Sequence, residues 1–193
     1  MIVPANPALI VGDMQKGILA SYPFARQPVP AQLSLLSAAR AGGLLVIFVR
    51  THLRPTGADV SANNPLFQRF HQAGNLFHEG AEATEIAAEL EARADEAVVG
   101  KRRTSAFAGT DLDLLLRAGH VDSLVLTGVA TSAMVAATLV DALDLDYRVT
   151  VVSDACADAE PDVHDFFMER VFPARGARVT TSRAWIEDHR PEA

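Results

Sequence analysis

Two charged side chains and one polar turn stand where apolar runs end, and their types suit acid–base chemistry. Asp13 closely follows Ala8-Leu9-Ile10-Val11, Lys101 closely follows Ala97-Val98-Val99, and Thr127 to Met134 follow Leu124-Val125-Leu126. A carboxylate at a strand end can give or take a proton, or it can serve as a helix cap or turn residue. An amine near it can hold the carboxylate and shift its pKa; alone, a lysine is more often a solvated surface charge. Arg102 and Arg103 extend that charge into a basic run, the usual pattern of a wet face. Thr127-Gly128-Val129-Ala130-Thr131-Ser132 reads as a strand-to-helix turn. The first N–H groups of a helix are unpaired and can cradle an oxyanion. The plain alternative is an ordinary helix start capped by Thr131 or Ser132. His52 and Arg54 follow the second apolar run. They are either contacts for an anionic or carbonyl group or part of an exposed loop. His71, His78, His120, His164 and His189 show no metal spacing.

The elements that must position these residues alternate in type. Strands are expected at 8–11, 44–49, 97–99, 124–126, 147–152 and 177–180. Helices are expected at 31–41, closed by Gly42-Gly43, at 81–93, from Thr110, from Thr131 to Leu145, from Pro161, and around Trp185. Arg50 to Gly80 is polar and irregular, as a lid or binding loop would be. Continuous apolar strands separated by helices imply a Rossmann-like three-layer α/β/α domain with a mostly parallel, about six-stranded sheet. Ligands of such sheets bind beyond the carboxyl ends of the strands. That rule selects Asp13, Arg50 to Arg54, Lys101 and Thr127 to Met134.

The totals bound the remaining possibilities. The 193 residues suit one domain spanning 1–193, and a net charge of -7 leaves no footprint for nucleic acid or an anionic membrane. The single cysteine, Cys156, cannot form an internal disulfide, which fits a cytoplasmic location. The start of the chain lacks the pattern of a signal peptide. No apolar run reaches the roughly 18 residues that a spanning helix needs.

Four ordered segments resemble the isochorismatase-like hydrolase superfamily: Val11-Gly12-Asp13-Met14-Gln15, the stretch from Gly100-Lys101 through Ser105-Ala106-Phe107, the turn Thr127 to Thr131, and Ser153-Asp154-Ala155-Cys156-Ala157. The resemblance runs from residue 8 to about 185. It implies a thiol nucleophile three residues after Thr131, with Asp13 as its base and Lys101 supporting the charge. Met134 stands at that position, and a thioether has no proton to lose. Cys156 matches a different family segment and is read as a small buried apolar residue.

The isochorismatases proper also lack the thiol. They hydrolyse a vinyl ether by proton donation from the Asp followed by water addition, which needs only an acid, a cation and a cradle. The resemblance therefore implies a hydrolase of a small anionic or carbonyl-containing metabolite. Asp13 is the acid or base, Lys101 its partner, and the N–H groups of Ala130 and Met134 the cradle. Gln15, His52, Arg54, Phe107 and Thr131 are the expected substrate contacts. The other reading is a catalytically silent member that binds a small molecule or a partner. No cofactor is implied. No metal is expected at His52, because Arg50 and Thr51 precede it without an acidic residue and Arg54 would repel a cation. The resemblance also implies a homo-oligomer, dimer or tetramer, and a cis peptide between Val129 and Ala130.

Overall fold

In the first strand every side chain from Ala8 to Val11 is buried, and the pleat sends them to two different cores. Ala8 and Ile10 join one apolar cluster, Leu9 and Val11 the other. A strand buried on both faces must be covered on both faces, and the topology does this. The structure is a computed structural model that describes residues 6–189. Along the chain lie β1 (Pro7–Gly12), α1 (Lys16–Ser21), α2 (Val29–Ala41), β2 (Leu45–Thr51), α3 (Pro65–Gln72), β3 (Ala97–Lys101), α4 (Leu112–Ala118), β4 (Ser123–Val129), α5 (Ala136–Asp144), β5 (Arg148–Ala157), α6 (Pro161–Phe166), α7 (Phe172–Ala174), β6 (Arg178–Thr180) and α8 (Ser182–Asp188). The six strands are all parallel, in the order β3-β2-β1-β4-β5-β6. Residues of α1, α2 and α8 fill one core, and residues of α4, α5 and the 168–172 segment fill the other.

The strand order reverses between β1 and β4, the switch point where doubly wound sheets hold ligands. Their carboxyl ends lie unusually close. Gly12 pairs with Gly128, and a Cβ on Gly128 would stand 2.1 Å from the Gly12 carbonyl oxygen. Gly128 also has φ +124°, so glycine is required there twice over.

Two expectations about elements fail. The 81–93 segment is not a helix. It runs extended past the first strand's exit, with Lys16 N donating to Glu85 O at 2.9 Å and Ala87 N to Met14 O at 2.9 Å. Short helical turns at Glu82–Thr84 and Ala88–Leu90 flank this pairing. Non-local strand-like pairing there overrides a good local helix propensity. Conversely, the polar 50–80 stretch contains α3. Asn64 caps it by accepting from Phe67 N at 3.3 Å, and Pro65 opens it. The helix expected from Thr131 to Leu145 begins as a wide π-type turn, Thr131–Val135, before α5.

Candidate active site

Asp13 leaves β1 in the left-handed region, φ 58°, which Asp tolerates better than most residues. Its N–H donates to Val49 O at 2.8 Å, which fixes the turn against β2. Lys101 ends β3, two strands away, and reaches across β2. Its Nζ lies 2.9 Å from Asp13 Oδ2, with the lysine side chain 3% exposed and the carboxylate 11%. Thr51, at the end of β2, joins the two. Lys101 Nζ donates to Thr51 Oγ1 at 2.7 Å, and Thr51 Oγ1 donates to Asp13 Oδ1 at 3.1 Å. Lys101 also donates to Arg103 O at 3.3 Å.

Burial is the largest influence on Asp13 and raises its carboxyl above the ordinary carboxylate range. The charge of Lys101 and the hydrogen bonds from Lys101 and Thr51 pull the other way. A carboxyl group held up by burial beside a fixed cation is equipped to exchange a proton with something placed over it.

That place exists. Asp13, Thr51 and Lys101 line a cavity of about 280 Å³, together with Val129, Ala130, Ala133 and Met134 from the β4 exit. Aromatic and aliphatic side chains of residues 18–24 and 66–77 form its other walls. The Val129–Ala130 peptide is cis. Met134 is 2% exposed, and its thioether lies against Gly12, where a Cβ would come 2.7 Å from Sδ. The Thr138 hydroxyl donates to that sulfur at 3.5 Å. Cys156 does not line the cavity. Its buried thiol donates to Leu126 O at 3.8 Å, and desolvation pushes its pKa up, away from thiolate formation.

The remaining sequence-selected residues do not line this cavity. Gln15 is fully buried and clamps β2 instead: its amide donates to Thr51 O at 2.9 Å and its carbonyl accepts from Thr51 N at 2.8 Å. It therefore holds Thr51 in position. His52 packs on Gly100, where a Cβ would stand 2.0 Å from its Nε2. Burial, then the charges of Arg102 and Arg50, push the His52 pKa below its ordinary value. Arg54 pairs with Asp59 at 3.4 Å. Phe107 packs near Tyr147 with ring centroids 6.0 Å apart. Thr131 hydrogen-bonds His164 Nδ1 at 2.8 Å. Sequence reasoning covered Thr51 only within the strand-end span Arg50 to Arg54 and gave it no role of its own. It also missed the aromatic walls. Among the described residues, no group of three or more His, Cys, Asp or Glu side chains is arranged to hold a metal ion, and no helix is long and apolar enough to cross a membrane.

A parallel doubly wound sheet with a buried carboxylate–lysine pair at its carboxyl edge defines a Rossmann-like α/β protein with a candidate acid–base site. Residues 7–184 match the isochorismatase domain, and the chain belongs to the isochorismatase family. It is 33% identical over 180 residues to the ureidoacrylate amidohydrolase RutB of Pantoea ananatis (strain LMG 20103), covering 82% of this chain and 72% of that protein. It is 33% identical over 198 residues to a protein of Arabidopsis thaliana named as a probable inactive nicotinamidase, covering 95% and 96%. The fold superposes on the crystal structure of a cysteine hydrolase from Pseudomonas syringae pv. phaseolicola 1448A with a TM-score of 0.87, at 28% identity, covering 96% of this chain and 93% of that one.

Proposed function

We propose that this chain is a hydrolase that works without a covalent thiol step, with Asp13 as the proton-exchanging group and Lys101 as its electrostatic partner. The observation that carries this reading is the pairing of a buried carboxyl with an amine at 2.9 Å on the floor of a cavity whose lining contains Met134 and no cysteine. In the family's thiol chemistry Asp13 would deprotonate a cysteine at position 134. With a thioether there, the nucleophile is water. For a vinyl ether, protonated Asp13 gives its proton to the alkene carbon. Water then adds to the oxocarbenium carbon and returns a proton to the Asp13 carboxylate. The resulting hemiketal splits into a ketone and an alcohol. Lys101 holds Asp13 in place and stabilises its anionic form between the two transfers.

The decisive experiment compares wild type with Asp13→Asn on a panel of small vinyl ethers, amides and esters, with melting curves as the folding control. Turnover should fall by about 10²–10⁴ with the fold retained. Intact-mass spectra during turnover should show no covalent adduct, and solvent ¹⁸O should enter the product in a single turnover. Undiminished turnover in Asp13→Asn, or an adduct on the chain, overturns the mechanism. The kinship with a relative named as inactive favours one other reading, a silent member that binds a ligand. Binding without turnover across the panel would select it.

A further inference from the structure

The turn after β4 carries Ala130, Ala133 and Met134 into the cavity wall, yet it does not hold itself there. Thr131–Val135 is one wide π-type turn of 5 residues, and no side chain at its start caps it. Wide turns of this kind are rare, and a single turn is too short to keep a helical shape alone. Its anchors come from the segment between the end of β5 and α6. Asp158 Oδ2 accepts from Ser132 N at 2.7 Å, while Asp158 Oδ1 accepts from Ala159 N at 2.8 Å. One residue before Ser132, the Thr131 hydroxyl meets His164 Nδ1 at 2.8 Å. Two side chains of one segment therefore grip consecutive residues of the turn.

The two grips differ in kind. Asp158 satisfies a main-chain N–H that every helical start leaves open, and Ser132 is exposed, so water can take its place. Thr131 is fully buried, and its hydroxyl is bonded to His164. A buried hydroxyl that loses its partner has no water to turn to. His164 itself lies outside the cavity lining. It faces a separate polar recess beside Asp154, Asp165 and Glu169. Any influence of His164 on the site therefore passes through Thr131.

We infer that His164 is a positioning residue of this site: its Nδ1 fixes Thr131, and through Thr131 it sets where the turn places Ala130, Ala133 and Met134. The inference rests on reading the Asp13 cavity as the active site, and it adds a residue of α6 that touches neither Asp13 nor Lys101. The contact needs a polar atom at the place of Nδ1 rather than a particular charge, because a hydroxyl can donate or accept. The amide of His164→Asn can supply that atom from nearly the same place. The amide of His164→Gln stands one bond further out, and His164→Ala supplies nothing.

The test reads a thiol in place of a substrate. In the full-length Met134→Cys protein, iodoacetamide alkylation at residue 134 is followed by peptide mass as a function of pH. Its pH midpoint reports the charges and N–H groups around the thiol, separately from access to it. Adding His164→Ala should raise the midpoint by about 0.5 pH unit or more, and adding Thr131→Val should do the same. The two together should add little to either alone. His164→Asn should stay within about 0.2 pH unit of the parent, and His164→Gln should not. Melting curves establish that each variant is folded. A midpoint unmoved by His164→Ala in a folded protein overturns the inference and leaves His164 a packing residue. So do fully additive effects of His164→Ala and Thr131→Val, or His164→Asn behaving like His164→Ala. If His164→Ala does not fold, the contrast between His164→Asn and His164→Gln decides alone. No turnover is measured, which separates this test from the hydrolase reading. An unmoved midpoint removes His164 and leaves Asp13 and Lys101 in place, whereas a protein that hydrolyses nothing can still show the raised midpoint.

Discussion

Replacing Lys101 by Met tests whether the Asp13–Lys101 pair is the coupled unit that the mechanism needs. The change keeps most of the apolar stem and removes the ammonium group, which lies 2.9 Å from Asp13 Oδ2 on a side chain only 3% exposed. Removing one partner of a buried pair costs about 3–5 kcal/mol, because the remaining charge is stranded. Asp13 can avoid part of that cost by taking a proton, so the penalty must depend on pH. Desolvation already raises its carboxyl above the unperturbed 3.8, and without Lys101 nothing of comparable strength opposes it. A group with a raised folded pKa binds more protons folded than unfolded. Its contribution is therefore fully present below the unfolded pKa and is lost as pH rises through the folded pKa, at up to about 1.4 kcal/mol per pH unit. Urea unfolding should show Lys101→Met destabilised by about 1–2 kcal/mol at pH 5 and about 3–4 kcal/mol at pH 8. Asp13→Asn combined with Lys101→Met should recover about 2 kcal/mol relative to the sum of the single changes at pH 8. A penalty flat across that range, or additivity within about 0.5 kcal/mol, would refute the coupling and with it the acid–base pair.

Cys156 should resist iodoacetamide in the native protein and label fully in urea, because its thiol is buried and its pKa raised; native labelling with matched loss of turnover would locate the nucleophile there instead. Met134→Cys should alkylate faster than free cysteine at neutral pH, since Asp13, Lys101 and the helical turn surround that position, yet hydrolyse nicotinamide negligibly; an inert thiol would break the proposed arrangement. Gly12→Ala should destabilise by about 1–3 kcal/mol through overpacking, because its Cβ would stand 1.7 Å from Met134 Cε. Adding Met134→Ala to that variant should relieve most of the penalty in the same urea assay, and failure to do so would place the clash elsewhere.

The strand ends were legible because buried parallel strands are written locally, as short apolar runs that stop at polar or glycine residues. Asp13 and Lys101 sit on such ends, and the structure joins them. The cavity walls were not legible for a physical reason. They come from residues 18–24 and 66–77, whose convergence depends on pairings between distant segments, such as the bridges Gln15–Ile86 and Leu53–His78. No periodicity within either segment announces those pairings. The same contacts explain the failed helix at 81–93, where main-chain partners at Met14 and Lys16 outcompete the local preference.

Gln15 shows the limit most clearly. Its position two residues after Asp13 invites a role in substrate contact. A buried polar side chain, however, must satisfy its donors and acceptors somewhere, and an amide can satisfy both against the N–H and C=O of one residue. Gln15 does so on Thr51, whose hydroxyl in turn links Lys101 to Asp13. Its connection to the chemistry therefore runs through the backbone of β2, and only its hydrogen-bond partners could distinguish that from direct contact with a ligand.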